Sequence, residues 1–345
     1  MSKVLDVIEN QGLNLEATEA YAVILGESPS KGARSPQLWN SAFEKLNISG
    51  FMHPMDVTRD KLESVVQCLR EDRRFIGGAV TMPYKIDIIP FLDELEPEAE
   101  TVGAVNCLYR QGNKIIGLNS DGAGALWSLQ NEIGGSLAGK SVLLLGTGGA
   151  GFAVATYLAF ALETGGNLLI ANRTSESRSD IIERLKSKCS IENIGTWPVS
   201  LEHLKQVDIV VNCTSIGFQA LRKDDKGLFS LKFYTPLGIV NDSLRVEDTP
   251  DSETQYVKIA GNDIADNIRL TLSSLSSMNS PFVFDIIYQP RQTLLLSLAN
   301  LLGCQTLNGL PMNREQAVIA FVKVTTSAGL FSGTAEDVRP IMCGN

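Results

Sequence analysis

The segment SVLLLGTGGAGFAVATYLA, Ser141 to Ala159, limits the fold of this chain more than any other. An apolar run of strand length leads into Gly146, Gly148 and Gly151 at G-x-G-x-x-G spacing, with Gly149 and Ala150 between them, and small residues follow in a helical pattern. In that setting the first two glycines permit a tight turn and close backbone approach to a pyrophosphate, and the helix start offers unpaired N–H groups to the same anion. The bland alternative is a glycine-rich turn that binds nothing. The strand–turn–helix context favours a Rossmann dinucleotide site.

Strand-like runs alternate with helical ones along most of the chain, which predicts an α/β architecture with parallel sheets. Strands are expected at 21–26, 50–57, 75–81, 141–146, 167–172, 208–213 and 282–287, and helices at 60–70, 124–133 and 150–162. A boundary near 121–139 gives two domains. The stretch from Gln219 to Ser280 mixes charge with Ser and Thr, with only a few strand hints such as LGIVND at Leu237 to Asp242. It reads as a long irregular connection or an insertion.

With 345 residues and 44% hydrophobic content, the chain is long enough for two cores. A net charge of -9 argues against a nucleic-acid or anionic-membrane partner. Six scattered cysteines, no CxxC and only two histidines argue against a zinc site or a disulfide framework. No signal peptide is visible at MSKVLDVIENQ, and no apolar run reaches the length of a membrane span. A cytoplasmic protein with a small-molecule substrate is expected, and nothing in the sequence argues against a homodimer.

At the end of the strand after the fingerprint, the chain reads Asn172, Arg173 and Thr174, with Arg178 close behind, where an NAD enzyme usually places Asp or Glu. Arginine suits a 2′-phosphate and points to NADP, although Arg173 and Arg178 also read as solvated charges at a helix start. Farther on, Thr214 and Ser215 follow another strand of the same sheet and could border the nicotinamide.

Two segments upstream of the fingerprint, GGAVTMPYK and GLNSDGAG, carry Lys85 and Asp121. A lysine and a carboxylate brought together in a cleft can share a proton, which is acid–base chemistry. Taken singly, Lys85 is an ordinary surface lysine and Asp121 a helix N-cap.

Taken in order, SPQLWN, AVTMPYK, GAVNCL, GLNSDG, GTGGAG, ANRT, NCTSIGF and DIIYQPRQTLLL resemble the shikimate dehydrogenase family, over about Tyr21 to Phe321. The resemblance implies an NADP-dependent oxidoreductase of aromatic amino acid biosynthesis that interconverts shikimate and 3-dehydroshikimate. It implies that Lys85 and Asp121 are the catalytic pair, and that Ser35, Thr81, Asn106, Tyr288 and Gln316 bind the substrate. It also implies that residues 1–122 form the substrate domain, completed by helices in 291–345, with the Rossmann domain at 123–290 between them. Two other readings stay open: a specialised relative acting on quinate, aminoshikimate or another cyclitol-like ketone, and a catalytically silent metabolite sensor. Departures from the family keep them open. Where the family has a histidine and Ser-x-Ser before proline, this chain reads KGARSP, with Gly32, Ala33 and Ser35. That removes one carboxylate donor, for which Lys31 or Arg34 could compensate. Trp39 replaces a second histidine, adding bulk to the pocket or to the core beneath it. The crossing from Phe218 to Asp285 is also longer than usual for the family.

Overall fold

The computed structural model describes residues 3–172, 183, 185–186, 189–196, 199–219, 221–241 and 243–344. They fall into two compact units, Met1–Gly124 with Asn313–Asn345, and Ala125–Met312.

In the first unit, β1 (Ala20–Gly26) is buried along its whole length. Its alternate side chains feed two cores, as the pleat requires. Ala22 and Ile24 join Trp39 and Phe43 of α1 (Ser35–Lys45), whereas Tyr21, Val23 and Leu25 join Val65, Val66 and Leu69 of α2 (Leu62–Glu71). A strand covered on both faces reads as an unbroken apolar run, which is why this one is plain in the sequence. The sheet adds β2 (Gly50–Asp56), β3 (Phe75–Val80), β4 (Glu94–Leu95), β5 (Cys107–Gln111) and β6 (Lys114–Leu118), in the order β2-β1-β3-β5-β6-β4. The expected parallel pairing holds for β2, β1 and β3. Beyond β3 the sheet is mixed, because a tight turn with Gly112 at φ 61° folds β5 and β6 into a hairpin, and β5 lies antiparallel to both β3 and β6. After α3 (Pro97–Val102), α4 (Asp121–Ile133) starts directly past this hairpin.

The second unit contains β7 (Ser141–Leu145), α5 (Gly149–Leu162), β8 (Asn167–Asn172), β9 (Ser190–Thr196), α6 (Leu201–Leu204), β10 (Ile209–Asn212), a small hairpin β11 (Arg222–Asp224) and β12 (Gly227–Phe229), α7 (Ser252–Ser277), β13 (Phe282–Asp285), α8 (Leu294–Leu301) and β14 (Thr306–Asn308). The main sheet runs β14-β13-β10-β7-β8-β9, and every pairing in it is parallel. This is the doubly wound order, with its switch point between β7 and β10.

Three expectations need correction here. The stretch 219–280 is not an irregular connection, because it carries the hairpin and the 26-residue helix α7. Of the strand hint at Leu237 to Asp242, residues 237–241 form no strand, and Asp242 lies outside the described residues. The Asn267 side chain donates to the carbonyls of Thr235 and Ile239 and accepts from the N–H of Thr235, so backbone groups that a ladder would pair are held by a side chain. The chain re-enters the first unit at Asn313 rather than near 291, since β14 pairs with β13 and α8 packs against both strands.

Two helices then close the first unit, α9 (Leu310–Ser327) and α10 (Ala335–Cys343). Arg339 of α10 grips Glu315 of α9 through two bonds of 2.8 Å, and Glu315 is buried. Among the described residues, no helix is long and apolar enough to cross a membrane.

Candidate active site

In the first unit the ends of β3, β5 and β6 converge on one polar cluster. The carboxylate of Asp121, the first residue of α4, accepts from Lys85 Nζ at 2.6 Å and from Asn106 Nδ2 at 2.9 Å. Helix capping is done elsewhere, since Asn119 Oδ1 accepts the Asp121 N–H at 3.1 Å. The Asp121 carboxylate is thereby left for Lys85, at a helix N-terminus that favours its charge. Lys85 keeps a quarter of its side chain exposed, so its ammonium can also bond outward.

Asn106 is the hub of the cluster. Its Nδ2 also faces Ser120 Oγ at 3.0 Å and Gln316 Oε1 of α9 at 3.4 Å, and its Oδ1 accepts the Ser120 N–H at 2.7 Å. Its backbone is fixed as well, because Val80 N donates to Asn106 O and Val105 N donates to Lys85 O, each at 2.7 Å. Lys85, Asn106, Asp121 and Gln316 are thus brought together. Ser120 joins them, unforeseen from its own residue type although it lies inside GLNSDG.

The remaining expected substrate residues sit around this cluster or apart from it. Thr81 follows β3 and its methyl lies over Gly26, where an added Cβ would come within 2.4 Å. Ser35 opens α1 and, among the described residues, is not hydrogen-bonded to the cluster. Tyr288 belongs to the second unit, in the segment after β13. The altered loop follows a single 3-10 turn, Pro29–Lys31. There Ser30 bonds Asp56 through both its N–H and its hydroxyl, so that hydroxyl is already engaged. Trp39 goes into the core rather than a pocket: it is 1% exposed and meets Phe321 edge-on at 5.3 Å. Asn40 bridges to β2, with its amide paired to both the N–H and the C=O of Met52.

In the second unit a crevice of about 520 Å³ opens at the carboxyl ends of β7, β8 and β10. Gly146 to Gly148, Asn172 and Thr214 to Ile216 line it. This is the switch-point position at which doubly wound sheets hold ligands. The fingerprint glycines divide the work. Gly146 has φ 92°, and a Cβ on Gly151 would come within 2.1 Å of the Gly146 carbonyl, so helix and turn touch there. A Cβ on Gly148 or Gly149 would meet nothing within 4 Å, which leaves the turn's open face for a ligand. Asn172 Oδ1 accepts from both the N–H and the hydroxyl of Thr147, while its Nδ2 is buried with no partner among the described residues. Thr214 is set by Asn212, whose Oδ1 accepts its N–H and hydroxyl at 2.9 and 2.8 Å. The open turn face and the orphaned amide fit a dinucleotide. Arg173, Thr174 and Arg178 lie outside the described residues.

Cys213 borders the crevice, but burial pushes its thiol far up, so it stays protonated and serves as a small packing residue. Asp285 ends β13 fully buried, and burial raises its carboxyl from 3.8 to about 7 against the opposing pull of bonds from Thr293, Ile287 and Asn212.

A switch-point crevice in a parallel sheet, with a lysine–aspartate pair set among fixed amides in a separate α/β unit, defines a dinucleotide-dependent oxidoreductase. The chain belongs to the shikimate dehydrogenase family. Residues 25–108 match its "Shikimate dehydrogenase substrate binding domain", and residues 128–226 match "Shikimate / quinate 5-dehydrogenase". It is 32% identical to a shikimate dehydrogenase (NADP(+)) of Carboxydothermus hydrogenoformans, over 86% of this chain and 89% of that one. A shikimate 5-dehydrogenase of Listeria monocytogenes, solved in complex with shikimate and NAD, is 25% identical with a TM-score of 0.71, over 96% of this chain and 99% of its own. The 5-ketofructose reductase of a Gluconobacter strain shares the fold, with a TM-score of 0.65 at 23% identity over 94% and 98% of the two chains.

Proposed function

We propose that this chain is an NADP-dependent oxidoreductase that interconverts shikimate and 3-dehydroshikimate. The observation that carries the reading is the 2.6 Å contact of Lys85 with Asp121 inside a cluster of fixed amides and hydroxyls. The first unit holds the substrate and the second the dinucleotide. The turn Gly146 to Gly151, with Asn172, Thr214 and Ser215, would hold the dinucleotide, whose nicotinamide would supply or accept a hydride.

This chain's own residues handle the proton. Lys85 Nζ donates to the developing alkoxide during reduction and takes the hydroxyl proton during oxidation, while Asp121 fixes where the remaining Lys85 N–H bonds point. Asn106 and Gln316, with Ser120 beside them, present donors and acceptors that a polyol can satisfy, and Ser35, Thr81 and Tyr288 belong to the same proposal. An analogue lacking one hydroxyl would leave such a group unpaired, at a cost of about 1–3 kcal/mol.

Assays of NADP+ and NAD+ reduction with shikimate, quinate and aminoshikimate test the reading. Rapid Lys85-dependent turnover of shikimate with NADP+ is expected. A second reading keeps the chemistry and changes the substrate, and a specific observation favours it. The loop that would meet a carboxylate has Gly32 and Ala33, and Ser30 is spent on Asp56. Turnover of quinate or aminoshikimate with shikimate inert would select it.

The glycine turn yields a paired prediction. Gly148→Ala should leave the melting temperature unchanged and weaken NADP+ binding about tenfold, because its new methyl stands only where the pyrophosphate comes. Gly151→Ala should lower stability by about 1–3 kcal/mol, since the methyl overlaps the Gly146 carbonyl. Calorimetric titration and thermal melts of both variants measure the contrast.

We also place the protein in the cytoplasm, where six free cysteines are the expected state. Light scattering of the purified chain decides whether it forms a homodimer.

A further inference from the structure

The dinucleotide crevice has a wall that the glycine fingerprint does not supply. Arg222, Phe229, Leu231 and Val240, all from the stretch after the Cys-Thr-Ser-Ile-Gly loop, line it together with Gly146 to Gly148. Arg222 and Phe229 face each other across the β11–β12 hairpin, so their side chains share one face of it. Among the described residues, Arg222 is the only charged side chain lining the crevice.

The hairpin is held firmly in place. Leu228 pairs both ways with Val246 at 2.9 Å, and Asp224 is clasped by Arg245, whose Nη2 lies 2.6 Å from Asp224 Oδ2. The Arg245 guanidinium also stacks 4.2 Å from the centre of the Phe229 ring. Beneath the hairpin, Leu228, Tyr234, Val246 and Tyr256 share a small core with Ile216, a residue of the crevice loop itself. Gly217 N donates to Leu231 O at 2.9 Å, a second tie between loop and insertion. Asp224 spends its charge on Arg245, and the Arg222 guanidinium lies over the Phe218 ring at 6.0 Å, which leaves its N–H fork for an anion.

We propose that the β11–β12 hairpin, with Leu231 and Val240, walls the dinucleotide crevice and that Arg222 binds the pyrophosphate of the bound dinucleotide, in addition to the glycine turn. This rests on the dinucleotide reading above and adds a phosphate ligand to it. A partly exposed, charge-assisted contact of this kind corresponds to about a tenfold difference in affinity.

Titration calorimetry of wild type, Arg222→Ala and Arg222→Lys with NADP+ and with NAD+ tests it, alongside thermal melts. Arg222→Ala should weaken both dinucleotides about tenfold, Arg222→Lys should recover part of the loss, and the melts should coincide, because Arg222 is exposed. Unchanged affinity for both dinucleotides in Arg222→Ala overturns the assignment. So does a loss confined to NADP+, which would put Arg222 on the 2′-phosphate. A wild-type chain that binds neither dinucleotide overturns the functional reading, and this inference with it.

Discussion

Lys85→Ala should lower kcat by about 10²–10⁴-fold while leaving the affinity for NADP+ unchanged. The separation follows from where the residues sit. Lys85 belongs to the first unit, bonded to Asp121 at 2.6 Å, whereas the dinucleotide crevice is built within 125–312. The variant loses the group that carries a proton to and from the reacting oxygen, and the glycine turn does not sense the change. The fold should survive, because Asp121 still accepts from Asn106 at 2.9 Å and is partly open to water. Asp121→Asn keeps the shape and an acceptor oxygen but removes the charge that positions the ammonium, and it should cost about tenfold to a hundredfold in kcat. Single-turnover rates, dinucleotide titrations and rescue of Lys85→Ala by a small primary amine check these expectations together. Loss of dinucleotide binding in Lys85→Ala, or a kcat within a factor of a few of wild type, would remove Lys85 from the chemistry.

Much of this architecture could be read from residues alone, and the physical reason is burial on both faces. β1, β7 and β8 are covered above and below, so they stand out as continuous Val, Ile and Leu runs. The glycine fingerprint was legible for a related reason. Its spacing encodes a backbone contact, that of Gly151 with the Gly146 carbonyl, which no side chain permits.

α7 was hidden because its buried stripe is largely polar. Asn267, Thr271 and Ser274 are buried at helical spacing, where the Asn267 amide holds the backbone of Thr235 and the Thr271 hydroxyl pairs with that of Thr235 at 2.6 Å. A periodicity carried by Asn, Thr and Ser does not register as an apolar face. In the site, Lys85, Asp121, Asn106 and Gln316 were named from the family's motifs, and no local pattern would have united residues that far apart in sequence. The crevice wall at Arg222 and Phe229 was not visible at all. It depends on a hairpin whose strands are three residues each and on a long-range clasp to Arg245. Trp39 could be read toward pocket or core, and only packing against Phe321 decides for the core.

Asp285→Asn should abolish a pH dependence of stability that the wild-type chain shows between pH 5 and pH 8. Asp285 is fully buried at the end of β13, and its carboxyl titrates at about 7 rather than 3.8 because burial disfavours the charged form. The folded state therefore holds a proton that the unfolded state has already lost near pH 4. For a carboxyl raised in this way, the stabilisation is fully present below the unfolded value and is lost as pH rises through 7. Over pH 5 to 8 the loss amounts to a few kcal/mol, on the order of 1.4 for each unit of pH between the two values.

The substitution fits the surroundings. Oδ1 can go on accepting from Asn212 at 3.0 Å and from the Ile287 N–H at 3.1 Å, and the Thr293 hydroxyl, now a donor at 2.7 Å, can turn to accept from the new amide. Any constant offset from the new amide cancels when each protein's urea unfolding free energy at pH 5 is compared with its own at pH 8. The wild type should lose a few kcal/mol more than the variant across that range, on the order of 1.4 per pH unit. Parallel pH curves for the two proteins would mean that Asp285 does not change protonation there, and that its three hydrogen bonds outweigh its burial. The same bonds bear on function. Asn212 donates to Asp285 and accepts from Thr214, so one buried amide ties this carboxyl to the floor of the dinucleotide crevice.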